Sequence, residues 1–369
     1  MSEKNLWRSV ALSNSLAERL IDDDDELADR LDSARLDTVV VGIERLDGTG
    51  IGAHHLDPTT LAAVLSPRLP RTRLLVAAAN HREHPWNLAR AVASLQTLAP
   101  RGSGLVLGAR DHTVAEGEPG ARAWEVRGLS RPVDIGIAAT LDAGVIARNL
   151  WQDYAFDAVV ADRSTGVYID TARVRATGHH GVYDVAGPLP VPTRGRPVLS
   201  LFAPDVTSAG VIIPSAFDSV TTSKGLATAD SAGELFGTHP LIVHTHDPDD
   251  IARITETVRR GAHRIHGVQV VADDDTLEAV LDAFAPPLTT TLGGRQRGGG
   301  VKPAGVAAVD SASARRVRKS AITASWVSSK SARTPANRCS RMASSDSNRS
   351  SRSDTITLRR SVVERVRST

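Results

Sequence analysis

Short apolar runs alternate with longer amphipathic segments through roughly the first three quarters of the chain. Strands are predicted at SVALSN (Ser9 to Asn14), DTVVVGI (Asp37 to Ile43), RLLVAAAN (Arg73 to Asn80) and GLVLGA (Gly104 to Ala109). Four more are predicted at RPVLSLFA (Arg196 to Ala203), FDSVTTS (Phe217 to Ser223), PLIVHTH (Pro240 to His246) and IHGVQVV (Ile265 to Val271). The segments DDELADRLDSA, PTTLAAVLSPRL and PWNLARAVASLQTLA carry helical periodicity between them. The early Asp residues of the first suit a helix N-terminus, and Pro85 stands at a favourable first-turn position. Eight consecutive βα units predict an α/β protein, a closed (β/α)8 TIM barrel in preference to an open doubly wound sheet.

One connection breaks the rhythm. The stretch from about 111 to 192 is too long to join two barrel strands and predicts an insertion after the fourth, holding one helix near DAGVIARNLWQDY and much irregular chain. In HTHDPDD (His244 to Asp250), His and carboxylate alternate as in a metal site. The preferred reading is a strand end entering a helix capped by Asp247, Asp249 or Asp250, with no metal.

Composition adds a boundary. The chain has 369 residues, 41% of them hydrophobic, which leaves material beyond a barrel of about 250 residues. Its net charge of +2 hides an asymmetry: residues 288–369 carry 17 Lys or Arg against 4 Asp or Glu, and residues 1–287 carry 27 against 38. The expected organisation is a barrel domain over 1–287 and an Arg/Ser-rich tail over 288–369. The tail lacks the apolar content to offset its ordering entropy and is expected to be disordered. Its dispersed charges, with Trp326 as the sole aromatic residue, argue against nucleic-acid binding. A frameshift near the end of the coding sequence accounts for such a tail equally simply. Cys339 is the only cysteine, so an internal disulfide and a thiolate metal cluster are both excluded. No segment approaches the ~20 apolar residues of a spanning helix. A cytoplasmic protein without membrane attachment is expected.

Two blocks carry a resemblance. In TRLLVAAANHREHPWNLARAVASLQTLAPRGSGLVLGA, His84, Pro85, Trp86, Leu88, Ala89, Arg90, Ala93, Ser94 and Leu95 match the strand, helix and strand typical of luciferase-like flavin-dependent monooxygenases. In the insertion, Leu150, Trp151, Asp162, Gly166, Tyr168, Asp170, His179, Gly181, Tyr183, Val185, Gly187, Pro188 and Leu189 resemble the branch of nitrilotriacetate monooxygenase component A. The resemblance covers roughly residues 30–285. It implies a two-component enzyme: an NAD(P)H-dependent flavin reductase delivers reduced flavin mononucleotide, dioxygen adds to it, and the flavin peroxide oxygenates a small organic substrate. It also implies a homodimer as the common assembly.

Carried over residue by residue, the resemblance is incomplete. An acidic residue usually follows the second strand, where Ile43 stands here with Glu44 beside it. A Tyr that meets the flavin phosphate is replaced by Ile137. Asn80 and His81 end the third strand as candidate donors to a flavin carbonyl, with His81 and His179 the candidate catalytic residues. Gly108 permits close approach of the ring, and its strand resembles that of relatives using a deazaflavin, an alternative cofactor and oxidoreductase activity. The turn Thr207, Ser208, Ala209, Gly210 has the hydroxyls and backbone N–H groups that a phosphate needs. His84, before Pro85, reads as structural. The replaced contacts leave open a barrel paralogue that has lost flavin binding.

Overall fold

The computed structural model describes residues 6–22, 24–50, 56–80, 82–114, 136–204, 211–223, 238–260 and 265–285. Within them, parallel pairing closes eight strands into a barrel: β1 (Trp7–Leu12), β2 (Thr38–Val41), β3 (Arg73–Ala79), β4 (Ser103–Gly108), β9 (Val198–Phe202), β10 (Ser219–Thr222), β11 (Leu241–Thr245) and β12 (Ile265–Ala272), with β12 returning to β1. All eight lie where the apolar runs predict them, their ends differing by a few residues. The helices are α1 (Asn14–Ile21), α2 (Asp25–Ser33), α3 (Glu44–Asp47), α4 (Pro58–Leu65), α5 (Pro85–Leu98), α6 (Ile137–Asp153), α7 (Asp249–Arg259) and α8 (Leu277–Phe284).

The two-residue period of the strands divides the core. Val10, Leu12, Val39, Val41, Leu74, Val76, Leu105 and Leu107 belong to the large cluster shared with the helices. Their neighbours Ala11, Val40, Leu75, Ala77, Ala79, Val106 and Phe202 form a second, smaller cluster inside the barrel, joined by Ile43 and Leu46. Both faces of each strand are therefore covered, which is why these segments read as continuous apolar runs. Part of the interior is polar: Thr38 Oγ1 donates to Ser9 Oγ at 2.8 Å, and Ser219 Oγ to Ser200 Oγ at 2.9 Å.

The insertion departs from expectation. Its helix, α6, starts five residues earlier than the sequence suggests, and the chain after it forms two antiparallel hairpins where irregular structure is expected. These are β5 (Val159–Asp162) with β6 (Val167–Ile169), and β7 (Gly178–His180) with β8 (Asp184–Ala186). Strands of three or four residues give little periodicity to read. Four of the residues that carry the resemblance hold this unit down. Trp151 Nε1 donates to the Ala89 carbonyl of α5 at 2.9 Å, and Tyr183, Val185 and Leu189 are buried.

Arg148 ties α6 to the strands: Nε donates to Ala216 O and Nη1 to Pro197 O, both at 2.9 Å, and Nη2 meets Asp218 Oδ2 at 2.7 Å. Burial pushes the Asp218 carboxyl up. The Leu199 N–H and the guanidinium groups of Arg148 and Arg196 outweigh it and hold the group below the usual carboxylate range.

Candidate active site at the barrel mouth

Strand ends and the connections that follow them form the carboxyl-terminal rim of the barrel. After β2, Gly42 adopts φ of +79° while the γ carbon of Pro58 lies 2.4 Å from where a β carbon would sit. Both facts demand glycine there. The chain turns at once into the single turn of α3, placing Glu44, Leu46 and Asp47 over the mouth. Arg45 anchors the turn through Asp111, 3.3 Å away, both side chains buried.

The described candidates fall in two places. Asn80 follows β3 and is buried; its Nδ2 donates to the Tyr183 hydroxyl at 3.0 Å, and its Oδ1 accepts from Thr140 Oγ1 at 2.9 Å. His179, on β7, contacts Asp142 Oδ1 of α6 through Nε2 at 2.7 Å, and Asp142 Oδ2 accepts the Tyr183 N–H at 3.0 Å. These five residues form one network joining the end of β3 to the insertion. His84 caps α5, its Nδ1 accepting from Trp86 N at 3.3 Å, with its ring edge-on to Tyr183. Burial pushes the His84 imidazole below its ordinary value, which suits the structural role expected of it. Gly108 ends β4 with Leu46 in the space a side chain would take: a β carbon there would lie 2.6 Å from Leu46 Cδ2. His81, Thr207, Ser208 and Gly210 lie outside the described residues. Residues 211–218, which follow that turn, form no helix, in keeping with Pro214.

A cavity of about 480 Å³ opens between the ends of β1, β2 and β12, within the usual range of small-molecule sites. Ser13, Asn14, Ile43, Glu44, Thr49, His246 and Asp273 are among its lining residues. Glu44, the carboxylate beside Ile43 in the sequence, is thus among the residues that reach the cavity.

Beside this cavity lies a grouping that sequence spacing does not reveal. His244 ends β11 pointing inward and is almost fully buried, and His246 follows two residues on, half exposed. Both direct Nε2 at Asp47 Oδ2, at 3.2 and 3.4 Å. Asp47 Oδ1 accepts from Thr49 N at 2.9 Å and Thr49 Oγ1 at 2.8 Å, while Gln269 Nε2 meets His244 Nδ1 at 3.0 Å. Burial favours the protonated Asp47; the His244, His246 and Thr49 contacts win and hold it far below the usual carboxylate range. Asp47 and His244 are 197 residues apart, so only the fold brings them together. The expected helix cap is also adjusted: Pro248 occupies the N-cap of α7, and Asp247 Oδ1 accepts the Asp249 N–H at 2.9 Å.

No family model matches the chain. A curated relative, one component of the pristinamycin IIA synthase of Streptomyces pristinaespiralis, is 28% identical over 209 residues, 52% of this chain and 68% of that protein. Dibenzothiophene-sulfone monooxygenase of Rhodococcus erythropolis is 42% identical over 55 residues, 14% of this chain and 12% of that one. The chain is thus similar to proteins of the luciferase-like monooxygenase kind. Solved structures similar to it include a long-chain alkane monooxygenase, with a TM-score of 0.46 and 13% identity over 69% of each chain. EDTA monooxygenase from Chelativorans sp. BNC1 aligns with a TM-score of 0.44 and 16% identity over 71% of this chain and 67% of its own. An F420-dependent secondary alcohol dehydrogenase aligns with a TM-score of 0.48 and 13% identity, over 76% of this chain and 97% of its own. Among the described residues, no helix is long and apolar enough to cross a membrane.

Proposed function

We propose that this luciferase-like protein is the oxygenating component of a two-component monooxygenase, acting on a small organic molecule with reduced flavin mononucleotide from an NAD(P)H-dependent reductase. The observation that carries the reading is the 480 Å³ cavity at the carboxyl end of the barrel, lined by Glu44, in a chain whose sequence matches a synthase component over 209 residues. The cavity fits a flavin ring system in volume and in donors. Glu44 presents a carboxylate to a ring N–H, and Asn14, Ser13 and Thr49 present groups of the kind that pair with ring carbonyls. It does not fit the phosphate, because Glu18, Glu44 and Asp273 line it and, among the described residues, no Lys or Arg does. The phosphate falls instead to Thr207, Ser208 and Gly210, as the sequence expects.

Bound reduced flavin supplies the electrons for dioxygen activation. The protein's own contribution is a shaped mouth: Ile43 and Val271 line the cavity, and Ile43 packs with Leu46 and Phe202 in the apolar cluster inside the barrel. A reducing cytoplasm suits a chain with one cysteine, and a homodimer is the assembly we infer from the family.

A second reading has its own observation. Leu46 occupies the space beside Gly108 and the Asn80 amide is already engaged with Tyr183 and Thr140, as in a paralogue that has lost the cofactor. Anaerobic titration with reduced flavin mononucleotide, followed by protein fluorescence, separates the two. Saturable binding in the micromolar range supports the monooxygenase; no affinity tighter than millimolar in a folded barrel overturns it.

A further inference from the structure

We propose that Asp47, His244 and His246 form a binding site for a divalent transition-metal ion, with an open coordination position facing the barrel-mouth cavity. The inference rests on donor chemistry and spacing, and is independent of whether the cavity holds a flavin.

Three observations converge. Two imidazoles and one carboxylate are a ligand set shared by zinc and non-haem iron sites. Their donor atoms all lie within 4.8 Å of one another, the one such grouping of His, Cys, Asp or Glu among the described residues. The separations of 3.2 and 3.4 Å from Asp47 Oδ2 to the two Nε2 atoms exceed the ~2.7–2.9 Å of charge-assisted hydrogen bonds. They match the edge of a tetrahedron whose metal–ligand bonds are about 2.0–2.1 Å, which is about 3.3–3.4 Å. Both donor separations from Asp47 are therefore those of a metal site.

The surroundings are those that hold ligands in place. Gly48, at φ of +76°, turns the chain so that Thr49 grips Asp47 Oδ1 and leaves Oδ2 facing the histidines. The edge of Phe202 packs on His244, and Gln269 holds its Nδ1. Metal binding requires an Nε2 lone pair on His244, so its proton must sit on Nδ1; a half-turn of the Gln269 amide then presents Oε1 to that N–H over the same 3.0 Å contact. His246, half exposed, lines the cavity and gives an ion its way in. With three protein ligands, the remaining position is left for water or a substrate oxygen, as in catalytic zinc sites.

The test uses the full chain, stripped with chelator and free of flavin. Cobalt(II) titration is expected to give the visible absorption of a four-coordinate site, saturating at one equivalent per chain and abolished by competing zinc. His246→Ala, at a half-exposed position, should weaken cobalt binding about 100-fold, and Asp47→Asn similarly. Gln269→Leu should weaken it about 10-fold through loss of ligand orientation. Absence of a saturable cobalt spectrum, or full-strength binding in folded His246→Ala, overturns the proposal. Because no flavin is present, either result leaves the monooxygenase reading to its own titration.

Discussion

Two polar clusters flank the barrel mouth, and they are wired differently. On the flank of β3 and the insertion, Asn80, Thr140, Tyr183, Asp142 and His179 are linked in sequence, each carboxylate or amide atom facing a separate partner. On the flank of β11, the two imidazoles of His244 and His246 crowd onto a single oxygen of Asp47 beside an open cavity. Distributed pairing satisfies buried groups and fixes one arrangement of chain; convergence on one point leaves capacity for another occupant. The first cluster is therefore expected to respond to mutation as scaffold, the second as a site.

The largest effect is expected at Asn80. Asn80→Ala removes two hydrogen bonds at a fully buried position where the insertion meets the barrel, and should cost about 3 kcal/mol, lowering Tm by roughly 10 °C. Urea denaturation measures it directly. A cost under about 1 kcal/mol would mean that the amide is not structural and would return Asn80 to the pool of cofactor contacts.

Asp142→Ala comes next. It strips His179 and the Tyr183 N–H of their shared carboxylate and should cost about 2 kcal/mol, with His179→Ala costing about 1 kcal/mol. A double-mutant cycle on the pair should return a coupling of about 1 kcal/mol. Independent effects of the two substitutions would break the claim that this flank is a single network, and would reopen a catalytic role for His179.

The sequence made the barrel legible and left the second cluster largely hidden. Each barrel strand buries both faces, so runs such as Thr38–Val41 and Arg73–Ala79 stand out with no partner in view. The hairpins of the insertion are half exposed and three or four residues long, too short for a period to show. His244 and His246 were visible as an alternating strand end, but their third member comes from α3, almost 200 residues earlier in the chain. Nothing at Asp47 marks it locally, since Asp-Gly-Thr reads as an ordinary turn. Glu44 was visible in the sequence beside Ile43, but its place at the cavity depends on how Gly42 turns the chain into α3.

A smaller effect is expected in acid, on the insertion side. The folded Asp218 carboxyl is held below its ordinary value, so its contribution to stability is complete above the unfolded pKa of about 3.9 and is lost as pH falls through the lower folded value. Asp218→Asn should cost about 1 kcal/mol at neutral pH, and the difference between variant and parent should shrink as pH falls below about 4. A difference constant with pH would show that Asp218 titrates alike in the folded and unfolded chain, its ion pairs adding nothing and Arg148 being held by its two carbonyl contacts.

The smallest effect sharpens the comparison most. In metal-free protein, His246→Ala removes a half-exposed ring whose one polar contact is 3.4 Å long, and the stability change should stay within about 0.5 kcal/mol. His179→Ala also deletes one histidine from one carboxylate, yet should cost about twice as much or more, because its contact is 2.7 Å and mostly buried. Paired urea curves of the two variants decide the matter. Equal losses would mean that both flanks are scaffold and that crowding two imidazoles on Asp47 serves the fold. A loss confined to His179→Ala leaves the geometry of His246 unexplained by stability, the outcome that a ligand-binding role for the β11 flank predicts.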